Sequence, residues 1–257
     1  MSPGFSLVAV LPVYNHEDAV GRVVAGLRAA GLPVILVDDG SAPRCRAVLQ
    51  QLAGAADVSL VVNPHNLGKG GAVSAGLRAA LQAGHTHALQ IDADGQHTLA
   101  DIPRFIAAAR VEPNAVICGQ PVFDQSVPRL RFYSRYLTHV LVWVHTLSFD
   151  IRDSMCGFRI YPLTAVVSVL DSARLGLRMD FDPELLVRLH WRGQPIRWLA
   201  TRVAYPLDGI SHFRMLEDNL RISWMHARMF AGMLVRSPSI LWRRLRFAPV
   251  TPAARSR

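Results

Sequence analysis

The residues best placed to do chemistry lie in Leu89-Gln-Ile-Asp92-Ala-Asp94-Gly-Gln96-His97. An apolar run ends in two carboxylates one residue apart, followed by a glycine and an amide. In extended backbone, side chains at i and i+2 point the same way, so Asp92 and Asp94 can face one point. At the carboxyl end of a strand, that point is where open parallel sheets bind ligands. Two hard oxygen donors beside a turn suit Mg²⁺ or Mn²⁺, with substrate phosphate oxygens completing the shell. Taken alone, Asp-X-Asp also fits a loop cap or a solvated turn.

Two further segments end in the same way. Asp38-Asp39-Gly40-Ser41 follows an apolar run, and either a helix N-cap or a carboxylate that accepts from a nucleobase or ribose would use those residues. Asn66-Leu-Gly-Lys69-Gly-Gly71 lacks the spacing of a P-loop and reads as a tight turn into a helix. There Lys69, the only lysine, and backbone N–H groups would face an anionic ligand. Asp153, Asp182 and Glu184 are candidate general bases, although Asp182-Pro-Glu184 equally resembles an acidic helix start. No His-X3-His, His-Glu-X-X-His or Cys-X-X-Cys spacing occurs, which argues against a zinc site.

The elements that must position these groups alternate over the first ~120 residues. Strands are expected at Leu7–Leu11, Pro33–Val37, Val58–Val62, Ala88–Ile91 and Ala115–Cys118. Helices are expected at Asp18–Ala30, Arg44–Ala53, Gly71–Ala83 and Leu99–Arg110. Strands apolar on both faces and separated by helices imply an α/β fold with a mostly parallel sheet flanked by helices. Beyond Pro121 the expected order is an apolar helix to Phe149, a polar turn over Asp153–Arg159, a helix opening at Phe181 and a strand over Pro195–Tyr205. Two amphipathic helices, Met215–Val235 and Ser239–Phe247, follow, broken at Ser237-Pro238. The expected division is a catalytic domain over 1–213, with a nucleotide-binding half 1–120 and an acceptor half 121–213, then basic C-terminal helices over 214–257.

The charge is lopsided. Net +9 comes from 27 arginines and one lysine, and no acidic residue follows Asp218. Such a balance fits phosphorylated substrates, an anionic membrane surface or nucleic acid. Nucleic acid is disfavoured, because the arginines lack the aromatic interleaving of a recognition module. Arg214, Arg221 and Arg228 recur every seven residues and form one helical stripe, which is either a solvated face or one that meets pyrophosphate and lipid headgroups. Ile240–Phe247 combines Trp242 with arginines and no acid, as a membrane-contacting segment does. No apolar run reaches the ~20 residues that span a bilayer. Widely spaced cysteines and the lack of a secretory pattern at the start point to a cytoplasmic protein, peripheral at the inner face of the plasma membrane.

Taken in order, Pro12-Val-Tyr-Asn15, Val37-Asp-Asp-Gly-Ser41, Asn66-Leu-Gly-Lys-Gly70, Asp92-Ala-Asp-Gly-Gln-His97 and Cys156-Gly-Phe-Arg159 resemble family 2 glycosyltransferases. The likeness is greatest to the polyprenyl- or dolichyl-phosphate sugar transferases. It implies a GT-A fold, a UDP- or GDP-linked sugar donor, a Mg²⁺ or Mn²⁺ ion, a lipid acceptor and inversion at the anomeric carbon. By motif, Asp39 would hold the base or ribose, with Pro12, Tyr14 and Glu17 lining the pocket and Lys69 and Asp92 near the nucleotide. Asp92, Asp94 and Gln96 would hold the metal and diphosphate. Arg131, Ser134 and Arg159 would face the acceptor. The chain departs from the family where His16 precedes Glu17, where Gln120-Pro121 replaces an arginine position, and where Gly209-Ile-Ser-His212-Phe-Arg214 replaces Gly-X-Ser-Lys. His212 and Arg214 then become the candidate diphosphate or acceptor contacts at that last motif. A phosphate acceptor is already anionic near pH 7 and needs no general base, whereas a hydroxyl of a glycolipid or lipid-like metabolite would need one.

Overall fold

The structure is a computed structural model that describes residues 4–122, 129–203 and 214–246. Seven strands form one sheet: β1 (Leu7–Val13), β2 (Val34–Asp38), β3 (Val58–Val62), β4 (His87–Gln90), β5 (Val116–Val122), β6 (Arg159–Pro162) and β7 (Ile196–Arg202), in the order β3-β2-β1-β4-β6-β5-β7. Pairings β1–β2, β2–β3, β1–β4 and β5–β7 are parallel. Only β6 runs against its neighbours β4 and β5.

Among the described residues, eight α-helices cover the sheet: α1 (Glu17–Ala29), α2 (Pro43–Leu52), α3 (Lys69–Gln82), α4 (Ile102–Val111), α5 (Arg129–Thr146), α6 (Leu163–Ser172), α7 (Phe181–Trp191) and α8 (Met215–Arg246). Strand alternation divides the core into two layers. Along β1, Val8 and Val10 pack with residues of α3, α6, α7 and α8, while Ala9, Leu11 and Val13 pack with α1, α2 and α4. Helix α3 presses closest on the sheet, because Gly76 leaves room for Val10 and Val37. A β-carbon there would lie 2.4 and 2.9 Å from their methyl groups.

Three features differ from the sequence reading. Strand β6 begins at Arg159, where a turn was expected, because a short strand headed by arginine carries no alternating signal. Helix α6 was not anticipated. The two C-terminal helices are one, continuous through Pro238. Proline at that position withdraws the amide that would bond the Leu234 carbonyl. The Ser237 hydroxyl donates to that carbonyl at 2.9 Å instead. Met233 and Ile240, one on each side of the proline, are both buried and hold the helix to the body of the protein.

Candidate active site

The carboxyl ends of β1, β2 and β4 meet along one edge, and side chains lace them together. Asp39 N–H donates to the Val13 carbonyl at 2.9 Å, which joins the ends of β1 and β2. Asn15, in left-handed backbone (φ 55), accepts from Ala42 N–H at 2.8 Å and takes the Ser41 hydroxyl on its own N–H. Asp38 points the other way, capping Ser41 N–H at 2.8 Å and pairing with Arg46 at 3.3 Å. Asp39 is buried and organises the next loop: it accepts from Asn63 Nδ2 (2.8 Å), Leu67 N–H (3.0 Å) and Gly68 N–H (2.8 Å). Pro12, Tyr14 and Glu17 lie beside this junction, on β1, in its turn and at the start of α1; Glu17 faces Arg44 at 3.6 Å.

The loop that Asp39 holds delivers Lys69 to the site. Gly68 adopts φ 95 against Leu177 and Arg178, a conformation that suits glycine, and Lys69 starts α3 directly after it. The Lys69 ammonium lies 2.8 and 3.0 Å from the two oxygens of Asp92 and 3.0 Å from Asp182 Oδ2. Burial alone would pull its pKa down, but Asp182 and Asp92 outweigh burial and hold it above the ordinary lysine value. Burial likewise acts to raise Asp92, yet Lys69 and His97, 3.5 Å away, hold its carboxyl well below the usual carboxylate range. Gly157 closes the other side, where a β-carbon would sit 2.4 Å from Asp92 Oδ2.

Asp94 is in a different state. Burial, and then the neighbouring Asp92 charge, push its pKa up, and its one hydrogen bond given by the described residues comes from Gln96 N–H at 2.9 Å. A second carboxylate short of positive charge next to an ionised one is a donor set that fits a divalent cation. No three His, Cys, Asp or Glu side chains cluster as a metal site among the described residues. A cation here would therefore depend on substrate oxygens for part of its shell.

Beneath the site runs a buried polar chain. Gln90 Nε2 donates to Asp182 Oδ1 at 3.1 Å, and the Tyr161 hydroxyl donates to Gln90 Oε1 at 3.3 Å. Arg159, fully buried, donates to the Tyr161 hydroxyl, the Asp182 carbonyl and the Ser154 carbonyl at 3.2, 3.1 and 2.7 Å. The motif leads one to expect Arg159 at the acceptor, but its side chain is fully buried and turned away from the open edge of the site. It supports Asp182 from below, because its strand runs through the middle of the sheet.

Glu184 is also corrected. Its side chain is fully buried, and its oxygens accept from Arg188 (2.7 Å), Arg228 (2.9 Å) and Gly176 N–H (3.0 Å). Two positions on from Asp182, about 200° round α7, it points into the α7–α8 contact instead. Asp153 is similarly committed, to Arg135, Met155 N–H and Cys156 N–H. Arg214 pairs with Glu217 of its own helix at 3.1 Å. Arg131 and Ser134 fall in the first turns of α5, with side chains outside the described residues, and His212 lies wholly outside them. Asn63, Gln90 and Tyr161 were not singled out from sequence, and Gly157 appeared only as part of the Cys156–Arg159 motif, with no role given. Of the first three, only Gln90 gave a signal, as a polar residue inside an apolar strand. His97, noted within its motif, is placed against Asp92.

Comparison with known proteins gives the family and the fold. The family described as Glycosyl transferase family 2 matches residues 8–165. A dolichyl-phosphate beta-glucosyltransferase of Drosophila melanogaster is 28% identical over 225 residues, covering 78% of this chain and 68% of that one. An undecaprenyl-phosphate 4-deoxy-4-formamido-L-arabinose transferase of Pseudomonas fluorescens is 29% identical over 170 residues, covering 63% and 48%. Glucosyl-3-phosphoglycerate synthase of Mycobacterium tuberculosis, crystallised with Mn²⁺ and UDP-glucose, superposes with TM-score 0.65 at 16% identity, covering 91% of this chain and 79% of that one. The sheet order, its helical layers and the motif series together make this chain a GT-A-fold member of glycosyltransferase family 2.

Proposed function

We propose that the chain is an inverting, metal-dependent hexosyltransferase that moves a sugar from a UDP- or GDP-linked donor to a lipid acceptor, polyprenyl phosphate. It would work peripherally at the cytoplasmic face of the plasma membrane. The observation that carries the reading is the convergence of Asp92, Asp94, Lys69 and Asp182 at the strand ends beside the Asp39 loop. In this reading residues 1–120 hold the donor, 121–213 the acceptor, and 214–257 the membrane side.

Asp92 and Asp94, with Gln96 nearby, would hold Mg²⁺ or Mn²⁺. When bound, the ion supplies positive charge to the diphosphate as it leaves. Lys69 lies against Asp92 and would add a second cation for the departing group. Asp39 fixes the loop that brings Lys69 in, and a lone pair its three bonds leave over would accept from the base or ribose. The acceptor phosphate oxygen attacks the anomeric carbon on the side opposite the diphosphate, so one displacement inverts the centre. Asp182 has one oxygen on Gln90 and the other on Lys69, while Glu184 and Asp153 are saturated by arginines and backbone N–H groups. With their oxygens already held by these partners, none of the three is left turned toward an incoming hydroxyl, which supports an acceptor that needs no general base.

The test is transfer from UDP- and GDP-hexoses to a short-chain prenyl phosphate, run beside the matching prenol. Asp92→Asn and Asp94→Asn should each lower turnover by about 10²-fold or more, as removal of a main charge-stabilising group does. Full activity in Asp94→Asn removes the metal assignment. Transfer to the prenol with a pH-dependent step lost in Asp182→Asn would replace phosphate by a hydroxyl acceptor.

A further inference from the structure

Helix α8 carries two apolar faces. One is the core: Met225, Met229, Met233 and Ile240 are buried against the rest of the protein. The other lies about half a turn away, at about 100° per residue, and is open to solvent. There Leu216 is 82% exposed, Leu220 71% and Trp224 66%, and Leu234, Val235 and Trp242 continue the exposed stripe along the helix. A helix with one face in a core ordinarily shows polar residues on the other. A long apolar stripe left in water marks a surface that meets another phase or partner.

Two observations choose the occupant. First, α8 has 32 residues, about 48 Å, and no described helix is long and apolar enough to cross a membrane, so a lipid contact made by its exposed stripe would run along the surface. Second, the flank between the faces is basic. Arg221 is exposed there, the sequence adds Arg246 at a spacing that returns to the same side of the helix, and no acidic residue follows Asp218. A second copy of this chain would bring the same arginines and, on this helix, only Glu217 and Asp218, both already engaged with Arg214 at its first turn, whereas anionic headgroups supply the missing charge. The adjoining α5 joins α8 through His145 and His226 and leaves Leu137 and Val140 exposed.

We propose that the outer face of α8, centred on Leu220 and Trp224, docks the protein in the plane of an anionic lipid surface. The methionine face meanwhile holds the catalytic body. This deepens the lipid-acceptor reading, and rests on it for its purpose, but can be tested without it. The full chain is sedimented with vesicles of phosphatidylcholine and phosphatidylglycerol containing neither donor nor prenyl phosphate. Binding is expected, weakened by salt, and Leu220→Glu with Trp224→Glu together should weaken it by roughly tenfold or more with circular dichroism unchanged. Leu220→Ile should bind as wild type. No binding at low salt, equal binding by the double Glu variant, or a solution dimer that this variant splits would overturn the proposal. Turnover of a water-soluble short-chain acceptor should persist in the variant. Its absence in wild type would count against the transferase reading and leave the docking result standing.

Discussion

Lys69 bridges Asp92 and Asp182 as their counter-cation, at 2.8–3.0 Å from each. Removing one member of such a partly buried group leaves like charges unpaired. Lys69→Gln should cost about 3 kcal/mol without metal. The same substitution frees Asp92, so the rise in Tm on adding Mn²⁺ should be larger than in wild type; an equal or smaller rise contradicts this. The pH sign follows from Asp92. Its folded pKa lies below the unfolded value of ~3.9, so its contribution is full above that pH and fades as pH falls below it. Lys69→Gln should therefore flatten the acid limb of Tm against pH.

At the scale of elements, α5 and α8 meet through His145 and His226, both buried, with Nε2 and Nδ1 2.9 Å apart. Burial, and for His145 also the neighbouring imidazole, pulls both down to about 4. Folded pKa values below the unfolded ~6.5 mean full stability above that pH, lost progressively from 6.5 toward 4 as the unfolded chain takes up protons that the fold refuses. A thermal-stability profile falling through that window, and shallower in His226→Asn, is the expected result. A flat wild-type profile would contradict it. Legibility at this scale followed element length. Strands β1 to β5 were read from apolar runs within a few residues, whereas β6, four residues headed by a buried arginine, had no periodic signature to read.

Across the whole molecule, Glu184 ties the catalytic body to the C-terminal helix by binding Arg188 of its own helix and Arg228 of α8. Glu184→Gln should lower stability by about 3 kcal/mol, on the order of 10 °C in Tm, because two arginines lose a fully buried partner. Transfer rate per folded molecule, compared at a temperature where both proteins are folded, should change little. A large loss of kcat with unchanged Tm would return Glu184 to the chemistry. The same clamp makes α8 and the Lys69–Asp92 cluster parts of one body, with the α8 methionines buried in the layer that also holds α3.

The sequence by itself determined the parallel α/β layout, the carboxylates at the strand ends and the basic C-terminus, because each is written in local spacing. Tertiary structure alone decided which carboxylate each cation meets. Asp182 and Glu184, two positions apart, part company, one to Lys69 and the site, the other to Arg188 and Arg228. It also decided that the methionine stripe of α8 goes inward and the leucine and tryptophan stripe outward. Periodicity shows that two faces exist, but only the packing of distant segments determines which of them is removed from water.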